Sequence, residues 1–289
     1  MGAAAPSPSP SGVRGRGTAR LSTTEALHPA GRRLDALPAG TLLSRLHAGD
    51  GEAVRAVGGA LPALAPLVDA VARAIAGRGR LLYLGAGTSG RLAAADAAEC
   101  PPTFGTPPSR VVALVAGGRP ALARAVEGAE DDAPAGAAAV RGARASTDDV
   151  VIGVSASGRT PFVLAGLAEA RRRGALTGLL TSNPEARANV DHLVLLDTGA
   201  ERIAGSTRMK AGAAARMALT LLSSAAMIRA GRAPGGRMLD LRPNSDKLRA
   251  RAVRLVTEAT GATPARARRA LARCGWKVRA AVADLGRKR

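Results

Sequence analysis

Aromatic side chains are almost missing from this 289-residue chain: Tyr83, Phe104, Phe162 and Trp276 are all there are. That scarcity excludes a core built on large rings, and it removes the stacking platforms that single-stranded nucleic-acid binders use. Cysteine is equally sparse. Cys100 and Cys274 stand far apart in no metal-ligand spacing, so neither a disulfide framework nor a metal site is expected. Cys100 reads as a small buried thiol rather than a nucleophile. The histidines, His28, His47 and His192, form no metal pattern either. The longest apolar runs read as too short to span a bilayer, so no membrane partner is expected. The opening stretch "MGAAAPSPSPSGVRGRGTAR" lacks the apolar centre of a secretion signal and reads as a disordered tail over residues 1–22. A cytoplasmic location is the default expectation.

What the chain has in quantity is Ala, Leu, Val, Gly and Arg. With 46% hydrophobic residues it can bury a sizeable core, packed from many small side chains. The formal net charge of +20 is concentrated at the ends: residues 1–33 hold five arginines against one glutamate, and 247–289 hold thirteen Lys or Arg against two acids. Basic ends without interleaved aromatics or a recognition motif read as solvated faces, so no nucleic-acid partner is expected.

Hydrophobic periodicity sets out the elements. Glu52 to Ala76 reads as one or two packed helices interrupted at Pro62 and Pro66. Five short apolar runs follow: "RLLYLGAGTSG" (80–90), "RVVALVAGG" (110–118), "DVVIGVSASG" (149–158), "LTGLLTSNP" (176–184) and "HLVLLDTG" (192–199). Unalternated strands separated by helices predict an α/β fold with a parallel sheet covered on both faces, a flavodoxin- or Rossmann-like sandwich. A long helix is predicted from about Thr207 to Arg229 and another from Ser245 to Ala259. "TPARARRALARCGWKVRAAVADL" (263–285) reads as a small helical satellite broken at Gly275. The expected organisation is a tail (1–22), a catalytic sugar-phosphate-binding domain (23–246) and a small helical C-terminal domain (247–289).

Two strand ends are chemically loaded. "GAGTSGR" (85–91) and "SASGRT" (155–160) set glycines beside hydroxyls between a strand and a helix, where free backbone N–H groups attract phosphate. Gly87, Thr88, Ser89 and Gly90 in the first loop, and Ser155, Ser157, Gly158 and Thr160 in the second, are candidate binding residues. "GAGTSG" also fits a dinucleotide fingerprint, but the next strand ends in "VAGG", without the acidic residue that motif needs. Arg91, Arg159 and Lys210 are candidates for holding an anionic group, with a surface cation as the plain alternative. In "DAAECPPTFG" (96–105) a run of small residues delivers one carboxylate, Glu99, just before Pro101-Pro102. If the prolines end that helix, Glu99 lies in its last turn at the negative end of the dipole, which disfavours its charged form and suits a proton donor.

These stretches, with "VEGAEDD" (126–132) and "GSTRMKAGAAARMALTLLSSAAMIRAG", resemble the sugar isomerase (SIS) domain and, more narrowly, the N-acetylmuramic acid 6-phosphate etherase family, a relative of the glucokinase regulatory protein. The resemblance runs from about Thr23 to Leu285. It departs at "TEALHP", where His28 stands in the usual place of Asn, and in the arginine-rich end. It implies a carbon–oxygen lyase of amino-sugar metabolism that cleaves the D-lactyl ether of a sugar phosphate without metal or cofactor. Glu99 would be the general acid and Glu130 the second carboxylate, acting as base. It further implies a homodimer, with the long helix 207–229 as a contact surface, and a UBA-like C-terminal domain. The alternatives are an aldose–ketose isomerase on the same fold and a non-catalytic sugar-phosphate sensor.

Overall fold

The runs Leu81–Gly85 (β1), Val111–Val115 (β2), Val150–Val154 (β3), Leu176–Thr181 (β4) and His192–Leu195 (β5) pair in parallel in a computed structural model that describes residues 23–241 and 243–286. The expected tail at 1–22 lies outside the described residues. The strand order is β2-β1-β3-β4-β5. Alternate residues of each strand enter opposite layers. Leu81, Tyr83, Ile152 and Leu180 face α1 (Ala39–Ala76), α2 (Gly87–Phe104) and α6 (Lys210–Arg229), whereas Leu82, Leu84, Val151 and Leu179 face α4 (Ala133–Gly142) and α5 (Pro161–Arg172). Both faces are covered, which is why the strands read as continuous apolar runs. A one-turn helix, α3 (Pro120–Ala123), follows β2.

Prolines break neither of two helices, and for one reason. α1 is a single helix of 38 residues, with Pro62 and Pro66 inside it and exposed. Each proline removes one backbone donor, and on the wet side water can satisfy the orphaned carbonyl. The inner stripe Ala53, Val57, Ala60, Leu64, Leu67, Val71 and Ile75 is buried without interruption. At roughly 1.5–3 kcal/mol for each large side chain, that burial outweighs two lost hydrogen bonds. Likewise α2 does not stop at Pro101-Pro102. It runs on to Phe104, whose ring is buried, and closes on left-handed Gly105, whose N–H donates to the Pro101 carbonyl at 3.0 Å.

The 18-residue stretches of α1 and α6 reach a mean hydropathy of 1.4, enough by length and composition to cross a membrane, contrary to the expectation from the apolar runs. About half of each stretch is buried, where the two helices pack on each other and on the sheet, while Val54, Leu61, Leu221 and Ile228 remain exposed. A third cluster joins Leu239 and Leu241 to α7 (Asp246–Thr260), α8 (Pro264–Arg273) and α9 (Val278–Gly286). Ser245 and Thr263 cap α7 and α8 by accepting from Leu248 and Arg266 N–H groups.

Candidate active site

Leaving β1, the chain first builds β2 on one side and then β3 on the other, so the segments following β1 and β3 part in opposite directions. In such sheets this switch point opens a crevice at the carboxyl ends of the strands. Both hydroxyl-rich stretches lie there. The first is largely the opening turn of α2, with Thr88, Ser89 and Gly90 already helical. Its N-cap is Ala86, which offers no side-chain acceptor, so the N–H groups of Gly87, Thr88 and Ser89 face the crevice without a cap. Gly90 allows this turn to sit against the sheet, since a Cβ there would lie 2.7 Å from a Val115 methyl.

The second stretch is braced from within. Ser155 Oγ accepts from the Gly158 N–H (3.0 Å) and lies 2.8 Å from Thr160 Oγ1, and Ser157 Oγ accepts from the Arg159 N–H (3.2 Å). Asn183, which the sequence reading did not single out, donates to the Ser157 carbonyl at 2.9 Å. Ser155 is buried, whereas Ser157 and Thr160 retain access to solvent. Gly158 has φ +66°, and a Cβ there would lie 2.4 Å from the Ala186 methyl.

Glu130 joins this end of the sheet. Its carbonyl accepts from the Phe162 N–H at 3.0 Å, in the first turn of α5, and its side chain is exposed. Glu99 does not join it in the same chain. Ten residues along α2 from Ser89, it stands about 15 Å away on the rise of an α-helix. It also lies in the wrong direction, because α2 runs back beside β1, and Tyr83 Oη donates to Asp96, one turn before Glu99, at 2.9 Å. Glu99 opens into a separate cavity of about 460 Å³ between α2 and α6, with Asp96, Cys100, Arg216, Thr220 and Ser223. There Asp96 accepts from Tyr83 and from Ser223 (3.0 Å), and burial raises its pKa despite both bonds. Burial pushes the Cys100 thiol up to about 12, in keeping with an inert buried thiol. With α2 extending to Phe104, Glu99 lies more than a turn before the helix end, which corrects the last-turn placement expected from the prolines.

The three basic candidates take different positions. Arg91 donates to the Ala121 carbonyl at 3.0 Å, tying α2 to α3. Arg159 is exposed, 3.6 Å from Glu185. Lys210 is 2% exposed and engaged: its Nζ donates to Glu52 and, at 2.7 Å, to the Thr198 carbonyl. Glu52 also pairs with buried Arg202, which contacts His28. Burial opposes ionisation of Glu52, but the Lys210 hydrogen bond and the charges of Lys210 and Arg202 carry its pKa below the ordinary value. Burial, Arg202 and Lys210 together lower that of His28. Glu201, fully buried, accepts from the N–H groups of Lys210 (3.1 Å) and Ala211 (2.9 Å) and caps α6. The start of α6 is thus closed by its own chain, while that of α2 is open. Among the described residues no group of His, Cys, Asp and Glu could hold a metal ion.

Residues 63–171 match the glucokinase regulatory protein N-terminal SIS domain. Three bacterial proteins, each named N-acetylmuramic acid 6-phosphate etherase, are similar over nearly the whole length. The one from Deinococcus radiodurans is 48% identical over 91% of this chain and 87% of its own. That from Streptomyces avermitilis is 45% identical over 90% and 84%. That from Rubrobacter xylanophilus is 44% identical over 91% and 88%. Similarity of this extent, on a parallel sheet with its crevice at the β1/β3 switch point, makes the chain a member of the N-acetylmuramic acid 6-phosphate etherase family.

Proposed function

We propose that the chain cleaves the D-lactyl ether of N-acetylmuramic acid 6-phosphate, releasing D-lactate and leaving N-acetylglucosamine 6-phosphate. The observation that carries this reading is the uncapped first turn of α2 beside the braced hydroxyl loop, with Glu130 fastened by its carbonyl to the start of α5. The phosphate occupies the place a capping side chain would take, held by the N–H groups of Gly87, Thr88 and Ser89 and the hydroxyls of Thr88, Ser89, Ser157 and Thr160. The opened sugar presents C1 as an aldehyde, which acidifies the C2 proton. Glu130 removes that proton, the C2–C3 double bond forms, and the C3–O bond breaks as Glu99 protonates the departing lactyl oxygen. Water then adds at C3 of the unsaturated aldehyde, its proton returning to C2.

Glu99 acts in a site of a second copy. From the phosphate on C6 to C3 is five bonds of about 1.5 Å each, too short to reach a carboxylate ten residues down α2 from Ser89. A two-fold pairing that brings the α2–α6 cavity of one protomer to the crevice of the other unites the two carboxylates. The catalytic unit is residues 23–246, and the enzyme works in the cytoplasm.

The test is D-lactate release from N-acetylmuramic acid 6-phosphate by the intact chain, with Glu99→Gln and Glu130→Gln alongside. Release by the parent that falls by at least about a hundredfold in each variant supports the assignment. Tight binding of the sugar phosphate without release identifies a sensor and overturns it.

A further inference from the structure

A cavity apart from the crevice, with a volume of about 740 Å³, lies between the C-terminal helices and the end of α2. That size falls within the range of small-molecule sites. Its charged wall is one-sided: Arg232, Arg249, Lys277 and Arg279 face a single carboxylate, Asp240, which Arg279 already holds through two bonds of 2.8 and 2.7 Å. No carboxylate pairs with Arg232, Arg249 or Lys277 among the described residues. Apart from Asn244, the remaining side chains are apolar, among them Leu239, Leu241, Val278 and Ala283.

Trp276, the chain's one tryptophan, lines this cavity with the Arg249 guanidinium 5.2 Å from its ring centroid. Its backbone is left-handed, φ +59°, directly after Gly275, also at +59°. A bulky residue rarely adopts that conformation, and such strain persists where the surroundings impose it. Here the Trp276 N–H donates to Leu271 at 2.7 Å, and the turn puts the indole at the cavity wall rather than wholly in the core of α7–α9.

We propose that this cavity is a second ligand site, distinct from the crevice, for a small anion bearing a flat ring, of the nucleoside monophosphate class. The unpaired cations would take the phosphate, and the indole with the apolar wall would take the ring. Gly105, the cap of the helix that carries Glu99, forms part of the wall, with no room for a Cβ between it and Asp240.

Because Trp276 is the sole indole, its fluorescence reports occupancy directly. The intact chain is titrated with adenosine 5′-monophosphate, inorganic phosphate and N-acetylglucosamine 6-phosphate, with Arg249→Ala and Arg232→Ala/Lys277→Ala as variants and D-lactate release as the control for folding. The proposal expects a saturable change with the nucleotide, weakened at least tenfold in both variants while lactate release persists. It is overturned if no probe gives a saturable change or if the variants bind as the parent does. It also fails if phosphate alone matches the nucleotide, or if the sugar phosphate binds better. An unchanged nucleotide response in a chain without lactate release would sink the reaction assignment and leave this site standing.

Discussion

The carbonyl of Glu130 and the N–H of Phe162 are joined at 3.0 Å, so the peptide of the proposed base is fastened to the opening turn of α5. Glu99 has no such link to the crevice. One carboxylate is positioned by the end of the sheet, the other by the far part of a helix.

Sharing of sites between copies has a direct consequence. Glu99→Gln and Glu130→Gln subunits are each inactive alone, but a mixed dimer contains one site with both carboxylates intact. Random subunit exchange should restore about a quarter of parental activity. Lactate assays before and after co-refolding decide the matter; absence of recovery with confirmed exchange places both groups in one chain.

Lys210 is buried against Glu52, which is partly exposed and also held by Arg202. Lys210→Met should destabilise the chain by about 1–2 kcal/mol, since Glu52 keeps Arg202 as its partner. The double variant Lys210→Met/Glu52→Gln should lose less than the sum of the singles, read from urea midpoints. Strict additivity would mean the pair does not interact.

At Gly158 a methyl group meets both strain and a neighbour, 2.4 Å from the Ala186 methyl and 2.8 Å from Thr181 Oγ1. Gly158→Ala should therefore cost more than about 1 kcal/mol and displace the hydroxyls of Ser157 and Thr160. Steady-state kinetics should show KM for the sugar phosphate rising several-fold; an unchanged KM would remove this loop from binding.

Acid sensitivity follows from Arg80 and Asp149, paired at 2.7 Å at the base of the sheet. Burial opposes ionisation of Asp149, but hydrogen bonds from Arg80 and Ser146 bring its pKa below the ordinary 3.8. Because the folded value is depressed, the stabilisation is fully present above that ordinary value and disappears as pH falls through the folded one. Asp149→Asn should be destabilised at pH 7 and approach the parent towards about pH 2. Denaturant midpoints across that range check it, and a constant gap would exclude the linkage.

The parallel sheet was legible because strands covered on both faces lose their polar alternation, as in "LLYLG" and "VVIGV". The hydroxyl loops and Glu130 were marked by local composition and family resemblance. The end of α2 was not legible, since the prolines argue for a stop while the burial of Phe104, a tertiary fact, extends the helix. Lys210 looked available because its partner Glu52 lies 158 residues earlier, and nothing local announces that pair. Asp96 was hidden likewise: its partners Tyr83 and Ser223 come from a strand and from another helix.

The middle of α1 has a consequence for motion. Gly58, Gly59, Pro62 and Pro66 fall within nine residues, joining the weakest helix formers to the missing donors. The half before them carries Glu52 and thereby the anchorage of Lys210 and Arg202; the half after them, from Leu67 to Ile75, is wedged against the sheet. Amide hydrogen exchange should therefore resolve the helix into two units, the first opening more readily than the second; equal protection along its whole length would show that the helix opens as one. The polar anchorage can thus loosen and re-form without disturbing the strands beneath it.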